Sequence, residues 1–279
     1  MNQKIIVITG ASGGVGSMLA LGLAKKGNYI VCLGRNKEAL LNLANKINNE
    51  TQSVGGEATI ELVDMMDAEA VEVVAKKIKK QFGRIDVWIN NVGVNNHNAI
   101  GPTWELEPKN WWNEVALNLN TAYIGSAIAI NLMKAKNYGY VINLGGGGVQ
   151  KPKSYGSAYG AAKTAIVKFT ETLALELEAE NLEIKTFAFN PGFIRNKRTE
   201  KLVDSDVCKK YMPRLENTLK HGKMSNIEDS IEMIEVLISG KANALTGRYF
   251  LADDDEMKAV LLDVDKYVQK GLGLLHLKK

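Results

Sequence analysis

Short apolar runs alternate with longer amphipathic stretches along most of this chain. Residues 4–9 carry Ile-Ile-Val-Ile, the continuous apolar pattern of a parallel strand covered on both faces. Similar runs at 29–33, 58–63, 85–89, 140–144, 184–189 and 245–251 predict further strands. Between them apolar residues recur at helical spacing, as in Leu40, Leu43 and Ile47, in Val71, Val74 and Ile78, and in Ile166, Phe169, Leu173 and Leu177. Uninterrupted alternation of strand and helix predicts an α/β three-layer, doubly wound parallel sheet of about seven strands. No linker, fixed-period repeat or low-complexity tract breaks it. One domain is therefore expected over 1–251, followed by a helical extension over 252–279. In that extension Met257, Val260, Leu261, Val264 and Val268 form an apolar stripe behind the acids Asp253 to Glu256. Those acids suit a helix N-terminus better than a metal site.

Composition narrows the class. The chain has 279 residues, 46% hydrophobic and 24% charged, as in an ordinary globular protein, and its net charge of +4 calls for no nucleic-acid partner. No run approaches the length of a membrane span, so a cytoplasmic protein with no membrane partner is expected. Cys32 and Cys208 are not spaced as a metal or redox pair, and His97, His221 and His276 stand singly. No metal site is expected.

The chemistry sits at strand ends. The first strand runs into Thr9-Gly-Ala-Ser-Gly-Gly-Val-Gly16 and then a helical pattern, an arrangement that aims free backbone N–H groups at a phosphate. The second strand ends at Gly34-Arg35, with no acid before Glu38. Arg35 therefore favours NADP(H), its planar fork matching a 2′-phosphate, with NAD(H) still possible; an exposed loop arginine is the alternative. Tyr159 and Lys163 lie four apart at the start of a helix and share one face. An ammonium beside a phenol stabilises the phenolate and lowers its pKa, which suits the phenol to proton transfer.

With Thr9-Gly-x-x-x-Gly-x-Gly16, Asn90-Asn-Val-Gly93, Tyr159-x-x-x-Lys163 and Asn190-Pro-Gly192 in this order, the chain resembles the short-chain dehydrogenase/reductase family from the first strand to about Leu251. The resemblance implies a Rossmann-like domain that binds NAD(P)(H) and moves hydride to or from the carbonyl or alcohol carbon of a small molecule. It implies that Tyr159 is the acid/base, that Lys163 tunes it and holds the nicotinamide ribose, and that Asn118, with Asn120 as a rival, serves the proton relay. Gly10, Ser12, Gly14 and Gly16 would line the pyrophosphate and ribose, Asp64 the adenine, and Asn91 and Gly93 the adenosine ribose. Pro191, Gly192, Ile194 and Asn196 would flank the nicotinamide. A homodimer or homotetramer is also implied, and the apolar ending at 272–277 is a plausible subunit contact.

One departure bears on activity. Thirteen residues before the tyrosine, where the family places its catalytic serine, stands Gly146 within Gly145-Gly-Gly-Gly148. Losing one such donor to the substrate oxygen costs roughly a hundredfold or more in rate. Ser154 or Tyr155 is expected to substitute, with Asn143 and a backbone N–H of the glycine run as other candidates. Ser157 is read as a helix cap. The remaining possibilities are a substrate with its own orienting group, and a cofactor-binding sensor or assembly partner without catalysis. Residues 193–224, rich in Lys and Arg, are expected to form a lid over the substrate; their charge would suit an anionic substrate or a solvated surface.

Overall fold

The computed structural model describes residues 3–252 and 263–275. Its centre is a seven-stranded parallel sheet in the order β3-β2-β1-β4-β5-β6-β7. The strands are β1 (Ile5–Thr9), β2 (Tyr29–Gly34), β3 (Glu57–Leu62), β4 (Val87–Asn90), β5 (Gly139–Leu144), β6 (Ile184–Asn190) and β7 (Tyr249–Leu251). The order reverses between β1 and β4, and the crevice at such a switch point is where doubly wound sheets bind ligands.

Helices cover both faces. Leu19 and Leu23 of α1 (Gly14–Lys25) and Leu40 and Ile47 of α2 (Lys37–Thr51) pack on one face with Ile6, Ile8, Ile142 and Phe187. On the other, Val71 and Ile78 of α3 (Ala68–Phe82), Ile124 and Ile130 of α4 (Pro108–Met133) and Leu177 of α5 (Ser157–Ala179) meet Val7, Val31, Trp88 and Val141. Helix α4 and the turn after it are long and apolar enough to cross a membrane by composition, which the sequence reading overlooked. Half of that stretch is buried inside the fold.

A buried polar network fixes β4 and β5 against α4 and α5. Asn90 Nδ2 donates to Asn143 Oδ1 at 2.8 Å and to Ser126 Oγ at 3.0 Å, Trp88 Nε1 donates to Asn90 Oδ1 at 2.9 Å, and Asn143 Nδ2 donates to Thr170 Oγ1 at 3.0 Å. Leaving such groups unpaired inside a core costs about 1–3 kcal/mol each, so the network holds the ends of both strands in one register. It also consumes Asn143, one of the candidate substitutes for the missing serine.

The last strand is shorter than predicted. Residues 243–245 form a 3-10 turn, and Gly247 turns at φ 84° before β7 begins. Three short helices, α6 (Lys197–Val203), α7 (Asp206–Tyr211) and α8 (Pro213–His221), make up the segment after β6, and α9 (Ile227–Leu237) returns to the core beside α1. Arg248 donates to the carbonyl of Leu272, and Tyr249 N donates to Gly273 O at 2.8 Å, so the C-terminal segment is held against β7. Leu275 packs beside Val167 and Tyr249. The acidic run at 253–256, Met257, Val260, Leu261 and His276 lie outside the described residues.

Candidate active site

The carboxyl ends of β1, β4, β5 and β6 open on one cavity of about 1530 Å³. Its walls include Gly10, Ser12, Gly14, Arg35, Asp64, Asn91, Gly93, Tyr159, Lys163, Pro191, Gly192, Ile194 and Asn196. Segments far apart in sequence thus meet where the motifs anticipated. Gly16 is buried in helix α1 behind this wall, and a Cβ on it would lie 2.5 Å from Asn91 Nδ2 and 2.6 Å from Gly10 O. Helix α1 has no side-chain N-cap and no acid in its first turn, so its leading N–H groups and positive end face the cavity uncompensated. Asn91 Nδ2 donates to Thr9 O at 2.9 Å, and Thr9 Oγ1 accepts from Asn91 N at 3.0 Å, tying the two strand ends together. A glycine-lined turn at an open helix N-terminus fits the pyrophosphate of a dinucleotide.

Beside the ends of β2 and β3 Arg35 Nη1 pairs with Asp64 Oδ2 at 3.1 Å, the arginine largely exposed and the aspartate partly so. Asp64 also accepts from Met66 N at 3.0 Å, and this bond, with Arg35 beside it, holds its carboxyl below the usual range. Asn196 has its polar groups engaged. Its Oδ1 caps α6 by accepting from Arg198 N and Thr199 N at 3.0 Å, and its Nδ2 donates to Ile194 O at 3.0 Å.

Deeper in the cavity Lys163 is buried and donates to Leu144 O at 2.9 Å. Gly93 makes room for it, since a Cβ there would lie 3.0 Å from Lys163 Nζ and 2.8 Å from Asn118 Oδ1. Asn118 staples α4 to the loop after β4, accepting from Val94 N at 3.1 Å and donating to Val94 O at 2.8 Å. Burial and the charge of Arg198 push the Lys163 ammonium down to about 7, while Glu114 pulls the other way. Tyr159 differs from expectation. Burial and the nearby Glu114 carboxyl push its phenol up to about 12, because desolvation disfavours the anion more than any neighbouring cation favours it. At neutral pH this phenol keeps its proton.

Gly146 abuts the phenol. A Cβ on it would sit 2.5 Å from Tyr159 Oη, so the tyrosine fills the space of a side chain at that position. Ser154 and Tyr155 are exposed and do not line the cavity, and the Tyr155 ring leans on Tyr211 at 5.1 Å between centroids. Ser157 is the first residue of α5 rather than its cap, and its Oγ accepts from Thr103 Oγ1 and Trp111 Nε1 at 3.0 Å.

Two charged residues near the phenol escaped the sequence reading. Lys153 lines the wall, with its ammonium 4.3 Å from the Tyr159 ring centroid. Glu114 on α4 is 3% exposed; its Oε2 accepts from Asn96 N at 2.6 Å, while its Oε1 is buried with no hydrogen-bond partner. Burial pushes this carboxyl up to about 7. His97 is exposed, as the sequence reading had it, and borders the cavity. The available signal for Glu114 was the one acid of α4, standing a turn before Asn118.

The family profile described as short chain dehydrogenase matches residues 4–206. The chain belongs to that family. Its relatives include 3-oxoacyl-acyl-carrier-protein reductase FabG of Haemophilus influenzae, 25% identical over 88% of this chain and 95% of that one. A Bacillus subtilis protein named as a probable 2,4-dienoyl-CoA reductase is 30% identical over 88% and 94%. Among solved structures, a short-chain dehydrogenase/reductase from Mycobacterium ulcerans superposes with a TM-score of 0.80 at 21% identity, covering 92% and 91% of the two chains. NAD+-bound xylitol dehydrogenase gives 0.77 at 25% identity, covering 90% and 97%. Membership makes the protein an oxidoreductase of CH–OH and C=O groups that uses NAD(P)(H), and its relatives' named activities weigh against the non-catalytic reading.

Proposed function

We propose that this dehydrogenase works as an NADP(H)-dependent reductase of a small carbonyl compound that carries negative charge. What supports this direction is Tyr159, a half-buried phenol on the cavity wall whose desolvation, with the nearby Glu114 carboxyl, raises its pKa and favours the protonated form. Such a group is built to give a proton to a developing alkoxide rather than to take one from an alcohol.

The walls supply the roles. The turn Gly10 to Gly14 and the start of α1 hold the pyrophosphate, Arg35 the 2′-phosphate, and Lys163 the nicotinamide ribose. When bound, the cofactor supplies hydride to the carbonyl carbon. Tyr159 Oη donates its proton to the oxygen, and the charged form of Lys163, favoured below about pH 7, stabilises the phenolate left behind until it is reprotonated. Lys151, Arg198 and Lys201 line the cavity as well, with Asp204 as an opposing charge, which favours an anionic substrate. Both named relatives are reductases, and the first takes a 3-oxoacyl group, in keeping with a carbonyl substrate.

The test is single-turnover oxidation of NADPH with a panel of matched neutral and anionic ketones and aldehydes, alongside Tyr159→Phe. Turnover that prefers the anionic members and collapses in the variant supports the reading. Tight NADPH binding with no oxidation by any member overturns it.

A further inference from the structure

Carbonyl reduction needs a second donor at the substrate oxygen, because the phenol alone must otherwise both orient the carbonyl and protonate it. Gly146 brings no side chain, and the place where one would stand is filled by Tyr159. We propose that Lys153 is that donor: its ammonium hydrogen-bonds the substrate carbonyl oxygen beside Tyr159 and polarises it. This assignment rests on the reading of the protein as a carbonyl reductase.

The geometry has three parts. First, the lysine is aimed. Its stem runs past Gly156, where a Cβ would lie 3.0 Å from Lys153 Cδ and 3.1 Å from its Cε, and past Gly148, where one would lie 3.5 Å from its Cβ. A side chain at Gly156 would crowd the stem, while Gly148 flanks it at ordinary contact distance. Second, the stem ends at the reacting group, with Nζ 4.3 Å from the Tyr159 ring centroid. An oxygen accepting from the phenol would lie at the edge of that ring, and rotation about the terminal bonds of the lysine stem would carry the ammonium from the ring face towards it.

Third, the cation is available. Among the described residues Lys153 makes no hydrogen bond or ion pair, and its contact is with the π face of Tyr159. The titratable groups around it are Glu114 from α4, Cys208 from α7 and Tyr159 from α5. Glu114 favours its charge from a distance, held by Asn96 N on one oxygen. Burial outweighs this support and brings the ammonium down to about 8, which still leaves it protonated at neutral pH.

The chemistry balances without further reactants. As hydride forms the new C–H bond, the carbonyl π pair moves onto oxygen. That oxygen accepts hydrogen bonds from Lys153 and takes the Tyr159 proton, so the phenol O–H breaks as the alcohol O–H forms. Lys153 keeps its own protons. The phenolate regains one through Lys163 or from solvent.

The experiment compares Lys153→Met and Lys153→Arg with the wild type in single-turnover NADPH oxidation, with NADPH affinity followed by fluorescence quenching as a check on folding. The methionine variant is expected to lose on the order of 10²-fold in rate with cofactor affinity intact, and the arginine variant to keep most of the rate. A methionine variant within about threefold of wild type overturns the assignment. A second readout does not need turnover. Mass-mapped acetylation by acetic anhydride should modify Lys153 with a midpoint at about pH 8, below that of surface lysines, and acetoacetate, an anionic ketone, with NADP+ should protect it. Labelling in step with the surface lysines, or no protection, overturns the assignment; failure of the wild type to oxidise NADPH falls on the reductase reading instead.

Discussion

Gly146 and Tyr159 are packed so closely that a Cβ on the glycine would stand 2.5 Å from the phenol oxygen and 3.1 Å from Cζ. The neighbouring Gly145 is closed in the same way, its Cβ falling 2.6 Å from Tyr249 Cε2, and Tyr249 Oη donates to Gly146 O at 3.3 Å. Two tyrosines, one from α5 and one from β7, therefore pack over the glycine run. Restoring a hydroxyl at this position is expected to harm the protein. Gly146→Ser must displace Tyr159, and overpacking of this kind costs about 1–3 kcal/mol. Thermal unfolding and steady-state turnover should fall together. A serine variant that is as stable as wild type and faster would show that Tyr159 yields freely and that packing is not what keeps glycine there.

The pH profile of reduction should fall on the alkaline side. Tyr159 remains a proton donor up to about 12, so its own titration does not limit the neutral range. The two lysines do: Lys163 loses its charge at about 7 and Lys153 at about 8. The single-turnover rate is therefore expected to decline as pH rises through this window. Lys153→Arg should move the upper step to higher pH, since a guanidinium stays charged there. A rate that climbs across the same window would mean that a base, not an acid, is limiting.

Cofactor choice is expected to turn on Arg35. Its guanidinium already pairs with Asp64 at 3.1 Å on a largely exposed surface, where such a pair is worth about 0–1 kcal/mol. A 2′-phosphate offers more acceptor oxygens, and hydrogen bonds to charged groups contribute roughly 1.5–3 kcal/mol. Arg35→Ala should weaken NADPH by about 10- to 100-fold while leaving NADH nearly unchanged. Equal losses for both cofactors, measured by fluorescence titration, would remove Arg35 from phosphate recognition.

Much of this architecture is legible in the sequence because the signals are local. Apolar runs such as Ile5 to Ile8 and the glycine turn after them define an element and its exit within a few residues. Tyr159 and Lys163 are legible for the same reason, since helical spacing alone places them together. Glu114 and Lys153 are not. The acid matters because Asn96, eighteen residues earlier, returns to donate to it at 2.6 Å. The lysine matters because glycine at 156 leaves room for its stem, and because Tyr155 turns the chain at φ 60° before α5 begins. The pKa of Tyr159 was misjudged from spacing because spacing reports the neighbouring cation and not the burial that outweighs it.

Glu114 ties stability to pH in a direction that can be worked out. Its carboxyl has a folded value of about 7 against an ordinary 4.5, so the folded protein holds this proton more tightly than the unfolded chain does. That binding stabilises the fold fully below 4.5 and is lost as pH rises through 7, where the buried anion must be carried. The shift corresponds to about 3 kcal/mol as an upper figure. Glu114→Gln keeps an oxygen to accept from Asn96 N and has no charge to bury. It should unfold like wild type in acid and be more stable than wild type on the alkaline side, by urea midpoints taken at both ends. A variant that loses stability on the alkaline side would show instead that the Glu114 anion is held by Lys153 and Lys163 strongly enough to repay its burial, and the triad would then be one charged unit rather than a strained carboxyl beside two weakened lysines.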